Sequence, residues 1–437
     1  MQILTYAGFI LMGVIVAMAL LIGFMDVVRG TPIKTVGTPG QGTECPAIDD
    51  PFFRESIELL THVKLKRGHE VEFFINGDQT YPRLWEDLRS AKTSITLQLY
   101  FANHGKMADQ LQEILIERAK AGIEIRFLHD AFGTTLKKEY FEPLKNAGVK
   151  VEAFRPFSLK SLQKTQHRAH IRVIVIDGEI GYTGGFGIDD KWFGTGRHKD
   201  QWRDTNVRFT GPAVRQLQAT FVVCWSEASS KLLTSDILFP PNSRPEYKAE
   251  SDNDGVLAAV LHASPTIGST PAERFFVLSI AAARQKLYIS NSYFVPEDTF
   301  RKLLCESAQR GVDVRVLTVS KATDTKSTWY AGRAKYEQLL KGGVRIFEYQ
   351  PVMMHAKTLV VDGAWVSVGS MNADNRSISF NDESNLVILD EGEGARMERM
   401  YLEDLKFAEE IKLDEFSKRP LQERIAEFVC HLVWRVL

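Results

Sequence analysis

Two kinds of hydrophobic pattern divide the chain. Residues 3–25 (ILTYAGFILMGVIVAMALLIGFM) form one apolar run without a charge. A helix rising ~1.5 Å per residue makes such a run long enough to cross a ~30 Å hydrocarbon core. A cleavable signal peptide fits less well, because no Lys or Arg precedes the run, the stretch is long, and no small-x-small site follows Ala19. The pattern therefore predicts an uncleaved transmembrane anchor within residues 1–30. Arg29 and Lys34 follow the run and no basic residue precedes it, so the positive-inside rule places the downstream domain in the cytoplasm. Residues 31–51 are rich in Gly, Pro and Thr and read as a linker.

Beyond the linker, short apolar runs alternate with amphipathic stretches. Residues 94–101 (SITLQLYF) read as a strand, 107–121 as a helix and 123–128 (IEIRFL) as a strand. The same series returns as a strand over 286–294 (KLYISNSYF), a helix over 299–310 and a strand over 312–317 (VDVRVL). AKAGIEIRFL at 119–128 matches AQRGVDVRVL at 308–317, and LKNAGVKVEAF at 144–154 matches LLKGGVRIFEY at 339–349. Gly122, Gly148, Gly311 and Gly343 stand where each helix should end. Alternating strands and helices indicate α/β layers. The chain is thus read as two related halves, 52–235 and 255–410, joined by a Pro-rich polar linker over 236–254.

Composition refines this picture. Lys and Arg number 54 and Asp and Glu 55, a balance that argues against a general nucleic-acid binder. The four cysteines, Cys45, Cys224, Cys305 and Cys430, are far apart and form no CxxC, so neither a thiolate zinc site nor a disulfide framework is expected. His167 precedes His170 by three residues, but no third ligand accompanies them and no metal or other cofactor is expected. The stretch 159–172 is locally basic, which suits either an anionic headgroup or a solvated loop. Residues 422–437 are a helical candidate with an apolar stripe of Ile425, Val429, Leu432 and Val436. That stripe can pack on the body of the chain or lie on a bilayer surface.

The chemistry sits late in each repeat. In the first half His170, Ile171 and Arg172 are followed by VIVI, Asp177 and Gly178, then by Gly184 and Gly185. In the second, His355, Ala356 and Lys357 are followed by TLVV, Asp362 and Gly363, then by Gly369, Ser370, Met371 and Asn372. Each reads as strand, Asp-Gly turn, strand. The His and the cation two residues on then face the same side, while Asp177 and Asp362 lie at the turns, where a structural role is plausible. Imidazole can serve as nucleophile or general acid, and the cation can neutralise phosphoryl oxygens. Two copies meeting at a pseudo-twofold axis supply two of each around one phosphodiester.

This H-x-[KR]-x4-D pattern with its downstream G-[GS] pair resembles the signature of the phospholipase D superfamily. Within it the chain is most similar to bacterial cardiolipin synthases. The supporting stretches are 115–134, 202–214, YFVP at 293–296 and 370–388. The resemblance implies an α/β fold of two α-β-α sandwich halves in a pseudo-twofold pair, to which the apolar run over residues 3–25 adds one N-terminal transmembrane helix. It implies a metal-free, two-step reaction through a phosphohistidine, with His170, Arg172, Asp177, His355, Lys357 and Asp362 as the catalytic set. It implies carboxylates that orient the opposite half's histidine: Glu383 for His170 and Asp204 for His355. Gly185, Ser370 and Asn372 are the expected phosphate contacts, His170 the nucleophile and His355 the general acid. The chain departs from the family pattern at Arg172, where Lys is usual, and at Gly187, opposite Asn372.

The implied activity is phosphatidyl transfer at the membrane, making cardiolipin from two phosphatidylglycerols with release of glycerol. Hydrolysis of phospholipid, a nuclease on the same scaffold, and a scaffold with a decayed first motif are the alternatives. The partners expected are phospholipid and bilayer, not nucleic acid. Both halves of the site lie in one chain, so no second chain is needed for the chemistry.

Overall fold

The computed structural model describes residues 32–37, 45–157, 167–241, 255–266 and 268–432, with a few isolated positions before residue 32. Apart from those isolated positions, the anchor expected over residues 3–25 falls outside the described residues, as do 242–254 of the central linker and 158–166 of the basic stretch. Among the described residues no helix is long and apolar enough to cross a membrane.

In chain order the strands are β1 (Lys66–His69), β2 (Val71–Ile75), β3 (Ser94–Leu99), β4 (Glu124–Asp130), β5 (Lys150–Phe154), β6 (Val173–Ile176), β7 (Ile180–Gly184), β8 (Trp202–Arg203) and β9 (Thr205–Thr210). They continue with β10 (Val256–Ala263), β11 (Lys286–Asn291), β12 (Asp313–Val319), β13 (Arg345–Tyr349), β14 (Met353–Met354), β15 (Lys357–Val361), β16 (Trp365–Gly369), β17 (Glu383–Leu389) and β18 (Ala408–Ile411). One sheet runs β2-β9-β7-β6-β3-β4-β5 and the other β1-β10-β17-β16-β15-β11-β12-β13-β18. Without its two outer strands the second sheet repeats the order of the first. The pairing senses agree as well: β3-β4-β5 and β11-β12-β13 are parallel, and the remaining pairs are antiparallel. The duplication read in the sequence is therefore a duplication of topology.

The parallel strands need crossover helices, supplied by Lys106–Lys120 and Lys138–Asn146 in one half and by Asp298–Gln309 and Tyr336–Lys341 in the other. Helices cover both faces, so β3 is buried at every residue and reads as a continuous strand rather than an alternating one. The glycines after these helices, Gly122, Gly148, Gly311 and Gly343, have φ between 89° and 102°, a conformation that costs other residues a Cβ clash. One apolar cluster lies between the two sheets and draws on both, with Phe209, Val260, Val366 and Leu386 among its members. The other two clusters lie under the outer helices of each half.

The structure moves the boundaries between the halves. Helix Pro51–Thr61 and β1, placed by the sequence at the head of the first half, belong to the second. β1 pairs with β10, and the fully buried Phe53 sets its ring edge-on to Trp365 at 5.3 Å. Cys45 and Ile48, within the expected linker, are buried in the same core. The second half also extends past residue 410, since β18 closes its sheet and Phe416 packs beneath it. If residues 45–69 are part of that core, Phe53→Ala lowers unfolding free energy by ~3–5 kcal/mol, the cost of emptying a buried aromatic site. Denaturant titration checks this. A loss below ~1 kcal/mol would mean that the segment is only a tether.

The C-terminal helix Leu421–Leu432 packs on helix Lys326–Arg333 with its polar face inward. Glu427 is 2% exposed and takes Arg419 at 2.7 Å and Arg333 at 3.5 Å. Leu421, Ile425, Phe428, Val429 and Leu432 all point outward. The apolar stripe is therefore not the packing face, because buried ion pairs fix the helix the other way round.

Candidate active site

Each histidine stands just before a hairpin. His170 and Arg172 precede β6 rather than lying within it, whereas Lys357 opens β15. Short contacts between the halves then bring distant residues side by side. β8 and β14 pair in parallel, with Arg203 opposite Met354, so the next residues in register are Asp204 and His355. A bridge between Ala169 and Asp382 likewise sets His170 beside Glu383. His355 Nδ1 lies 2.9 Å from Asp204 Oδ2, and His170 Nδ1 lies 3.0 Å from both Glu383 oxygens. Each pair spans the two halves. Among the described residues Nε2 of each ring has no hydrogen-bond partner, and both histidines line one cavity of about 400 Å³.

The carboxylates are held differently. Trp192 Nε1 donates to Asp204 Oδ2 at 2.8 Å and the Thr205 N–H to Oδ1 at 2.8 Å. Burial opposes the charge on Asp204, but His355, Lys357 and the Trp192 donor outweigh it and hold the carboxyl below its ordinary range. Glu383 shares a short 2.6 Å hydrogen bond with Ser370 Oγ, yet burial pushes it up to about 8. Burial, Arg172 and Lys357 hold His170 well below the usual imidazole range, and burial with Lys357 takes His355 down to about 4 despite Asp204. Both rings are neutral at rest. One faces an anionic partner and the other a largely neutral one.

The two cations have matching places. Arg172 Nη1 donates to the His170 carbonyl at 2.8 Å and Nε to that of Phe186 at 3.1 Å. Lys357 Nζ donates to the His355 carbonyl and, at 2.6 Å, to Ser292 Oγ. Burial, reinforced by Arg172 and opposed by Asp204, brings Lys357 down to about 7. A bound oxyanion should therefore weaken as pH rises through about 7, since Lys357 loses its charge and Glu383 then gains one. Sulfate, whose own charge is fixed over this range, should lose affinity by up to about tenfold per pH unit between pH 7 and 9. Calorimetric titration measures it, and equal affinity at pH 6 and pH 9 would contradict the assignment.

Several expected site residues lie elsewhere. Asp177 and Asp362 do not line the cavity. Each sits in its hairpin turn at positive φ and accepts backbone N–H groups that lead into the neighbouring strand, from Lys92, Thr93 and Ser94 in one half and from Arg284, Gln285 and Lys286 in the other. They tie the hairpins to β3 and β11. Ser370 serves Glu383 rather than the cavity. Gly185 leaves room for Asp204, because a Cβ there would overlap its carboxylate. Asn372 does line the cavity and accepts from Ser292 Oγ at 3.2 Å. At Gly187, its counterpart, a Cβ would press on the Trp192 ring. The first motif thus gives up an amide and makes room for the indole that binds Asp204. His167 has its Nδ1 2.9 Å from the Phe380 carbonyl, and among the described residues no group of three or more His, Cys, Asp or Glu is placed to hold a metal.

The sequence reading missed the aromatic wall. Trp192 and Trp202 have rings 5.3 and 5.1 Å from that of His355, and Tyr100 stands edge-on to His170 at 4.9 Å. Asp324 and Arg376 also line the cavity without having been singled out. These residues come from loops, from a two-residue strand and from short helices, where no periodicity marks them.

The comparisons agree with this geometry. Residues 84–225 and 277–405 match the family described as cardiolipin synthase, PLD-like domain. A cardiolipin synthase of Geobacillus sp. (strain WCH70) is 35% identical over 366 residues, covering 83% of this chain and 72% of that protein. Cardiolipin synthase 2 of Bacillus anthracis is 32% identical over 366 residues, covering 83% and 70%. In fold, the phosphatidylserine synthase of Haemophilus influenzae Rd KW20 aligns with a TM-score of 0.69 at 13% identity, over 88% of this chain and all of that one. The duplicated sheets, the crossed His–carboxylate pairs and these similarities lead to one conclusion: the chain belongs to the cardiolipin synthase family of phospholipase D-like phosphatidyltransferases.

Proposed function

We propose that this enzyme joins two phosphatidylglycerols into cardiolipin and releases glycerol, through a phosphohistidine on His170. The observation that carries the proposal is the pair of imidazoles, one from each half, opening into one cavity with each Nδ1 held by a carboxylate of the other half. In the first step His170 Nε2 attacks phosphorus, the bond to the glycerol oxygen breaks, and His355 gives that oxygen a proton. The anionic phosphodiester arriving beside His355 raises its affinity for the proton it must carry. In the second step a hydroxyl of the second phosphatidylglycerol gives its proton to His355 and attacks phosphorus, and the bond to His170 breaks. Arg172 and Lys357 balance charge on the phosphoryl oxygens.

The division of roles follows the carboxylates. An anionic Asp204 stabilises an imidazolium, which suits His355 as acid, while a largely neutral Glu383 leaves His170 an uncharged nucleophile. Tyr100, Phe101, Trp192, Trp202 and Tyr293 line the cavity and favour an alcohol over water, in support of transfer over hydrolysis. Residues 3–25 would hold the enzyme on the inner membrane with its catalytic halves on the cytoplasmic side, beside its lipid. Incubating the purified full chain with phosphatidylglycerol vesicles tests the proposal. Cardiolipin and glycerol should appear in equal amounts, and phosphatidic acid without cardiolipin would overturn it.

A further inference from the structure

An in-line displacement places both the departing and the incoming alcohol on the face of the phosphorus opposite the nucleophile. With His170 as nucleophile, that face is the His355 end of the cavity. The residues there are not specified by the two motifs. The Tyr293 ring lies 6.2 Å from His355, and its hydroxyl donates to both oxygens of Asp324 at 2.9 Å. Asp324 lines the cavity but lies at its exposed rim. Lys191 holds its ammonium over the rings of Trp202 at 4.1 Å and Phe101 at 4.3 Å, both of which line the same cavity, and the Trp202 ring lies 5.1 Å from that of His355. Its closest carboxylate is Asp189, at a loose 3.8 Å, and Asp324 also lies within its electrostatic reach.

A carboxylate and an ammonium, each held on an aromatic ring that neighbours the general acid, match a glycerol bearing a phosphate. An ionised carboxylate only accepts hydrogen bonds, so it favours an alcohol with hydroxyls to spare over one with none. An ammonium on an aromatic wall offers a point charge to a phosphodiester. We propose that Asp324 and Lys191 form the subsite for the acceptor alcohol, Asp324 accepting from the hydroxyl that does not react and Lys191 meeting the acceptor's own phosphate. This rests on the transferase reading above, with His170 as nucleophile. It adds that the enzyme selects a polyol joined to an anion rather than any primary alcohol.

The test uses the full chain, phosphatidylglycerol vesicles and two soluble acceptors, radiolabelled glycerol and ethanol. Glycerol exchange and ethanol transfer each break the bond to His170 and form one new phosphorus–oxygen bond, with the hydroxyl proton going to His355. In Asp324→Asn the ratio of glycerol to ethanol transfer should fall at least fivefold. In Lys191→Gln the ratio of cardiolipin formation to glycerol exchange should fall at least fivefold. Ethanol transfer in the same tubes reports on folding. A smaller fall in either ratio overturns the role of that residue. Wild-type enzyme that forms neither cardiolipin nor any alcohol ester would remove the transferase reading and the subsite with it. Wild-type transfer with ratios that the variants leave unchanged would remove the subsite alone.

Discussion

His170→Ala and His355→Ala should each lower cardiolipin formation by ~10³-fold or more, and the double variant should be no worse than the weaker single one. The two imidazoles act on one phosphorus in one displacement. Removing either leaves the other with no step to perform, so the losses do not add. The fold should survive each change. Both rings stand just before their hairpins, where each is hydrogen-bonded at Nδ1 and lies against aromatic side chains, while the apolar cluster between the sheets is built from other residues. Rates measured on the four proteins with one vesicle preparation give the result. A double variant slower than the singles by the product of their losses would mean that the histidines act in separate sites.

The second expectation is an asymmetry between the carboxylates. Asp204→Asn should lower turnover by ~10²–10⁴-fold, the range for losing the group that fixes a catalytic imidazole's tautomer and stabilises its cation. An amide there can present its NH2 to His355 Nδ1 and force the wrong tautomer. Glu383→Gln should cost only about tenfold, since Glu383 is largely neutral near pH 7 and the amide oxygen can accept from His170 Nδ1 as a neutral carboxyl oxygen does. Paired measurements of kcat at pH 7 decide it. Equal losses in both variants would show that both carboxylates act as anions, and with that the assignment of nucleophile and acid would lose its electrostatic basis.

Much of this site was legible before any coordinates. The second-half copy of the His-x-[Lys/Arg] motif removes the ordinary reading of a lone histidine, and the count of residues beyond each motif, read through the family resemblance, leads to Asp204 and Glu383. The topology was legible too, because βαβ units leave paired apolar runs and a glycine at each helix end. What stayed hidden depends on contacts between remote segments. Nothing in residues 51–69 says which sheet they join, since β1 is a short strand whose partner lies almost 190 residues on. The Asp-Gly turns read equally as catalytic or structural until Asp177 and Asp362 are seen capping strand entries. The stripe at Ile425, Val429 and Leu432 has the spacing of a packed face, and only the buried Glu427 pair turns it outward. Trp192 carries no motif at all, and its use appears once Gly187 makes room for it beside Asp204.

The central claim is that the two halves share one covalent mechanism with a defined nucleophile. It is tested most directly by stopping the enzyme during turnover on phosphatidylglycerol labelled in its phosphate, then mapping base-stable, acid-labile label on its peptides. The account predicts phosphatidyl label on the peptide carrying His170 and none on that carrying His355. Label on His355 alone would reverse the roles, and undiminished turnover with no label on either histidine would contradict the covalent route.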